Sequence, residues 1–139
     1  MESGVQPQRM GLSPEDRDAF EAYAEEWISQ CLDRDWDGLV ERLTNDVVFL
    51  PPDEPAVIGK AAVADFLDAY PIITAFSSTI ESADGSADRA AIRSSFDLTV
   101  ETEDGETRMV GKGLLTYRKE GGRWRVATQC WNFDAPMGA

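Results

Sequence analysis

The chain has 139 residues, 42% of them hydrophobic, with 13 Lys and Arg against 26 Asp and Glu and a formal net charge of −13. This length suits one domain with its own core, and the acidic surplus repels phosphates and anionic lipid, so neither nucleic acid nor membrane is expected as a partner. Histidine is absent. That excludes Ser-His-Asp and Cys-His catalytic arrangements, histidine zinc sites and histidine general bases.

No apolar run approaches the roughly 18 residues that cross a bilayer. The opening MESGVQPQRMGLSPEDR lacks a basic segment followed by an apolar one, so a cytoplasmic protein is expected. Cys31 and Cys130 form no CxxC motif and fall on apolar faces, which reads as two buried thiols. With no glycine-rich phosphate loop either, no metal and no organic cofactor is expected.

Residues 1–11 are polar and aperiodic and read as a tail, 12–135 as the domain, and 136–139 as a second tail. Ser13-Pro14-Glu15-Asp16 opens the first helix, because serine caps free amides, proline suits the first turn and acids favour the positive dipole end. The helix runs to about Asp33, with Phe20, Tyr23, Ala24, Trp27, Ile28, Cys31 and Leu32 in one apolar stripe. Asp35 caps a short second helix whose Trp36, Leu39, Val40 and Leu43 face inward. DRDWDG within it lacks the rest of a calcium-loop pattern. VVFL is a strand that Pro51-Pro52 stops. A third helix spans Gly59 to Tyr70, presents Ala62, Val63, Phe66, Leu67 and Tyr70 inward, and ends at Pro71.

Beyond Ile72 the period becomes two. Ile72, Phe76 and Ile80 share a face, a turn follows around Asp84-Gly85, and Asp104-Gly105 and Gly121-Gly122 are favoured two-residue hairpin turns. Pairing outward from Asp104-Gly105 sets Glu101 opposite Arg108, Asp97 opposite Lys112 and Phe96 opposite Gly113. Pairing outward from Gly121-Gly122 sets Tyr117 opposite Val126, Gly113 opposite Cys130 and Gly111 opposite Asn132. One face then carries Ile92 through Val100 at alternate positions with Met109, Gly111, Gly113, Leu115, Tyr117, Trp124, Val126, Thr128, Cys130 and Asn132. The opposite face carries Asp97, Lys112, Leu114, Gln129 and Trp131.

Two glycines one residue apart weaken a strand. Either Gly111 and Gly113 let the sheet bend or a helix approach, or they also leave a hollow beside Thr128, Cys130 and Asn132. The hollow would be a pocket for a small apolar molecule, held by Tyr23, Trp27, Phe49, Phe66, Tyr70, Phe76 and Met109 and oriented by Asn132.

The helices followed by a curved sheet, with LTNDVVFLPPDEPAVIGKAAVADFL and GKGLLTYRKEGGRWRVATQCWNFD as the best-marked segments, resemble the nuclear-transport-factor-two-like superfamily. Within it the chain is most similar to SnoaL-like and ketosteroid-isomerase-like small bacterial proteins. The resemblance implies an α+β, cystatin-like fold, a cone-shaped barrel of three N-terminal helices packed on a curved antiparallel sheet. It also implies a pocket between helices and concave sheet, and a homodimer through the convex face, here Leu114, Gln129 and Trp131. The isomerase's own residues do not carry over. Trp27 stands at the oxyanion-binding tyrosine, Pro51 at the base aspartate and Leu115 at the acidic donor, while Asp46, Asp53 and Glu54 lie nearby as polar loop acids. The expectation is therefore a small-molecule-binding domain, with isomerase, dehydratase or hydrolase activity unassigned; the alternative is a catalytically inert dimeric interaction module.

Overall fold

The computed structural model describes residues 11–135, and the tails expected at 1–11 and 136–139 lie, apart from residue 11, outside that range. Helix α1 (Pro14–Asp33) begins at a full capping box: Ser13 Oγ accepts from the Asp16 amide at 3.0 Å while the Asp16 carboxylate accepts from the Ser13 amide. Asp16 also accepts from Trp124 Nε1 at 3.1 Å, which ties the helix start to the last strand. The helix ends at Arg34, a left-handed residue with φ 55°. Helix α2 (Trp36–Val40) is capped by Asp35, whose carboxylate accepts from the Gly38 amide. Leu43 does not belong to it, but is a buried first residue of strand β1 (Leu43–Leu50).

Strand β2 (Val57–Ile58) and helix α3 (Lys60–Asp68) follow the proline loop. Strands β3 (Ile73–Gly85), β4 (Arg89–Thr102), β5 (Gly105–Glu120) and β6 (Arg123–Phe133) complete a six-stranded sheet in the order β2-β1-β6-β5-β4-β3. The α+β class stands. The sheet, however, is mixed rather than antiparallel throughout, because β1 lies parallel to β6. The chain reaches that position through the β2 and α3 segment and three long antiparallel strands, so no hairpin constrains the direction.

Four local expectations change. Ile72 and Leu32 are exposed at 47% and 40%, and Ala62 is exposed too, whereas Ile73 is buried; the β3–β4 register shifts between Ile73 and Ala75, which puts Ile73 and Phe76 on the core side together. The β3–β4 connection lies beyond Gly85, which is still paired with Ala90. Gly121 and Gly122 have φ of 59° and 80° and close the β5–β6 hairpin as expected.

The other hairpin differs in a way that moves side chains. Thr102 pairs with Gly105, so the turn residues are Glu103 and Asp104, and Gly105 takes φ 110° while Asp104 is not among the positive-φ residues. A turn on Asp104-Gly105 needs positive φ at both. Each β4–β5 partner therefore lies two residues from the expected one: Phe96 faces Gly111, Asp97 faces Val110 and Glu101 faces Glu106. Cross-strand charge pairs are worth only a few tenths to about 1 kcal/mol, and turn geometry decides against them. Asp97 still finds Arg108 diagonally, with Nε donating at 2.9 Å and Nη2 at 2.5 Å. A two-residue slip preserves which face each side chain occupies.

The β5–β6 pairing is different in kind. Tyr117 faces Val126 as expected, but Thr116 faces Thr128, so Ala127 is an extra residue bulged out of β6. A one-residue insertion reverses faces. Beyond it Gln129, Trp131 and Phe133 stand opposite Leu115, Gly113 and Gly111 on the concave side, and Thr128, Cys130 and Asn132 follow the face of Leu114 and Lys112.

Candidate functional site

The concave sheet and helices α1 and α3 enclose a partly open cavity of about 130 Å³. Its floor is β3, β4 and β5, where Phe76, Ser78, Ile80, Ser94 and Phe96 point inward on alternate positions. Its walls are aromatic. Trp131 meets Phe49 and Phe66 edge-on with ring centroids 5.7 Å and 6.0 Å apart, Phe49 meets Phe66 at 6.2 Å, and Trp27 and Tyr70 extend the set to either side. Such edge-to-face contacts fix ring orientation beyond what burial alone does.

Of the residues expected in a pocket, Trp27, Phe49, Phe66, Tyr70, Phe76, Gly113 and Cys130 line the cavity. Tyr23 instead packs beside Phe20 and under the Arg42 guanidinium, and Met109 is buried in the apolar core. Gly111 has no hollow above it, since an added Cβ would sit 2.7 Å from Phe96 Cζ and 2.2 Å from the Asn132 carbonyl oxygen. Thr128 and Asn132 do not line the cavity, and Asn132 is exposed, because the Ala127 bulge turns them outward. The same bulge corrects the proposed dimer surface: Gln129 and Trp131 line the cavity, and of the three residues assigned to the outer face only Leu114 is there, exposed at 46%. Sequence reasoning also missed Trp36, Gln129 and Ser94. Trp36 looked like ordinary helix core, and the other two depend on the bulge or on depth along the sheet.

The chemistry of the lining is narrow. Among the described residues it contains no carboxylate, amine or guanidinium, and its ionisable side chains are the thiol of Cys31 and the phenols of Tyr70 and Tyr117; Cys130 borders the cavity too, but its side chain follows the outer face of Leu114. Burial pushes the Cys31 thiol up to about 12. Tyr70 is also raised to about 12, chiefly by burial and further by the negative charge that Cys31 and Glu54 would present, and burial raises Tyr117 as well. Cys31, Tyr70 and Tyr117 therefore remain protonated at neutral pH, which leaves them as hydrogen-bond donors rather than bases. Both cysteines are free thiols.

Two polar atoms of the lining residues are buried without a partner: the indole Nε1 of Trp36 and the carboxamide Oε1 of Gln129. The nearby acids stand elsewhere. Asp46 accepts from Arg118 Nη2 at 2.6 Å on the surface, and Asp53 and Glu54 are exposed in the proline loop. Trp27 and Leu115, at two of the isomerase positions, do line the cavity, while Pro51 is buried outside its lining. Among the described residues no group of three or more Cys, Asp or Glu could hold a metal ion, and no helix is long and apolar enough to cross a membrane.

An SnoaL-like domain model matches residues 14–127, which spans the three helices, strands β1 to β5 and the start of β6. The chain belongs to the SnoaL-like domain family. Solved structures agree on the fold of this SnoaL-like domain. A ketosteroid isomerase-like protein from Erwinia carotovora atroseptica SCRI1043 is 24% identical with a TM-score of 0.78, covering 89% of this chain and 100% of its own. A conserved protein from Planctomyces limnophilus DSM 3776 is 22% identical with a TM-score of 0.75, covering 87% and 99%. An NTF2-like protein from Pseudomonas putida KT2440 is 18% identical with a TM-score of 0.76, covering 91% and 92%. A comparison with curated protein sequences gives no match.

Proposed function

We propose that this SnoaL-like domain binds a small, largely apolar molecule in the cavity between α1, α3 and the concave sheet. The observation that carries this reading is the wall of Trp27, Phe49, Phe66 and Trp131 around a cavity of about 130 Å³. A dry apolar cavity of about 150 Å³ takes a single-ring guest such as benzene, so the volume suits one ring. The missing carboxylate speaks against proton abstraction by the residues that the isomerase resemblance would use, and the site is read as binding without an assigned reaction.

A neutral single-ring panel tests it by thermal shift. A bound guest at a large excess over its Kd adds about 3 kcal/mol of stability, and Ser94→Leu, which fills the floor, should abolish the shift. No shift with any guest, or an unchanged shift in Ser94→Leu, would overturn the reading.

A homodimer through the outer sheet face is part of the same proposal. Val110 and Leu114, exposed at 41% and 46%, lie on the same side of β5 with Lys112 between them. Exposed aliphatic groups on a sheet face favour cover by a second surface. This face also supports the other reading, an inert dimeric module, which predicts a dimer with no ligand-dependent shift.

A further inference from the structure

The cavity floor on β3 and β4 is apolar except at one place. Its lining side chains there are Ile73, Phe76, Ile80, Ile92, Phe96 and Leu98, interrupted by Ser78 and Ser94. Ser78 pairs with Phe96 and Ser94 with Ile80, so the two serines are diagonal neighbours on adjoining strands, and Gly113 stands opposite Ser94 on β5. The smallest residues of the floor therefore form one patch.

Small size alone does not explain serine. A strand face turned toward a core favours β-branched and aromatic side chains, and alanine would open the same space without a polar group. Both serines are half-buried, and among the described residues neither hydroxyl has a hydrogen-bond partner. Ser95, next along β4 on the outer face, differs in donating to Glu81 at 2.7 Å. The two inner hydroxyls open onto the cavity instead. A guest with no polar group would strip water from both and return no hydrogen bond, which is costly.

Resting on the binding reading above, we propose that the ligand is an uncharged single-ring compound whose polar group is a hydroxyl, seated between Ser78 and Ser94 with its ring against the aromatic wall. A hydroxyl both donates and accepts, as each serine does, so one guest oxygen can accept from one serine and donate to the other. Diagonal side chains on neighbouring strands are rooted about 7 Å apart. Two serine hydroxyls and one shared oxygen, bonded at about 2.8 Å each, can bridge that gap. A charged ligand would meet no counter-ion in the lining, and burying an unpaired charge is far more costly than burying a paired dipole. The net charge of −13 further disfavours anions.

The test uses calorimetric titration at pH 6.5 with three probes of similar size: phenol, which carries the hydroxyl; toluene, which carries a methyl group in its place; and benzoate, which is an anion. The wild-type chain should bind phenol tighter than either of the others. Ser78→Ala and Ser94→Ala should each weaken phenol about fivefold, the worth of one neutral hydrogen bond, and should bind toluene at least as tightly as wild type does. Toluene binding also reports that the cavity of each variant is intact. The inference falls if both variants leave phenol affinity unchanged, if they weaken phenol and toluene equally, or if benzoate binds as tightly as phenol. Toluene binding that Ser94→Leu abolishes, with no advantage for phenol in the wild type, would sink this inference and leave the cavity reading standing. No binding of any probe would sink both.

Discussion

The Phe96 ring stands over Gly111, so near that a β-carbon there would lie 2.7 Å from Phe96 Cζ, and the backbone of Asn132 closes the other side at 2.2 Å. The glycine is required by the close approach of a ring and a neighbouring strand, and its space is already filled. Gly113 is different. An added Cβ there would meet the Cys130 carbonyl oxygen at 3.0 Å and Trp131 Cβ at 3.2 Å, a tighter fit than usual but at the edge of the cavity.

Gly111→Ala should therefore destabilise the fold, because the clash is with backbone on one side and a packed ring on the other. Overpacking of this kind costs about 1 to 3 kcal/mol. Denaturant midpoints measure it, and a midpoint equal to wild type would show that the two strands separate freely at this position.

Asn132 and Trp131 should behave oppositely although they are neighbours. Asn132→Ala touches an exposed side chain and should change stability by less than about 0.5 kcal/mol. Trp131→Ala removes the ring that meets Phe49 and Phe66 and should cost about 3 kcal/mol. Equal effects in urea unfolding would contradict the face reversal at Ala127.

Stability should hold between about pH 7 and pH 9 and then decline. Cys31 and Tyr70 have folded values of about 12, against unfolded values near 9 and 10. Between those limits the unfolded chain loses protons that the folded chain keeps, so unfolding becomes easier as pH rises, by up to about 1.4 kcal/mol per pH unit for each group. The loss begins near pH 9 and is complete once pH passes the folded values. Cys31→Ala should flatten the part of the decline that begins near pH 9; chemical denaturation across pH 7 to 11 reads the slope, and an identical slope in the variant would rule out the Cys31 contribution.

Leu114→Glu should convert a dimer to a monomer in sedimentation velocity without loss of fold, since Leu114 is exposed at 46% within the single chain. Trp131→Glu is not an equivalent test, because that side chain lines the cavity. A wild-type chain that is already monomeric at high concentration would remove the dimer from the proposal.

Local signals in the amino-acid order were enough to place the helices, the four long strands and the Gly121-Gly122 hairpin. The Ser13-Pro14 start, the apolar stripe containing Phe20 and Trp27 and the two-residue alternation of Ile92 to Val100 each follow from contacts within a few residues along the chain. These sufficed for the α+β fold and for Trp27, Phe49, Phe66, Tyr70 and Phe76 as cavity residues. What tertiary structure alone decided is the direction of β1 beside β6, the two-residue slip at Glu103-Asp104 and the bulge at Ala127. None leaves a local mark. Alanine carries no turn chemistry, and whether a strand bulges depends on the curvature imposed by the partners packed on it. Because side chains alternate with period two, that one inserted residue exchanged Gln129 and Trp131 for Thr128 and Asn132 in the cavity wall, and with them the polar character of the site.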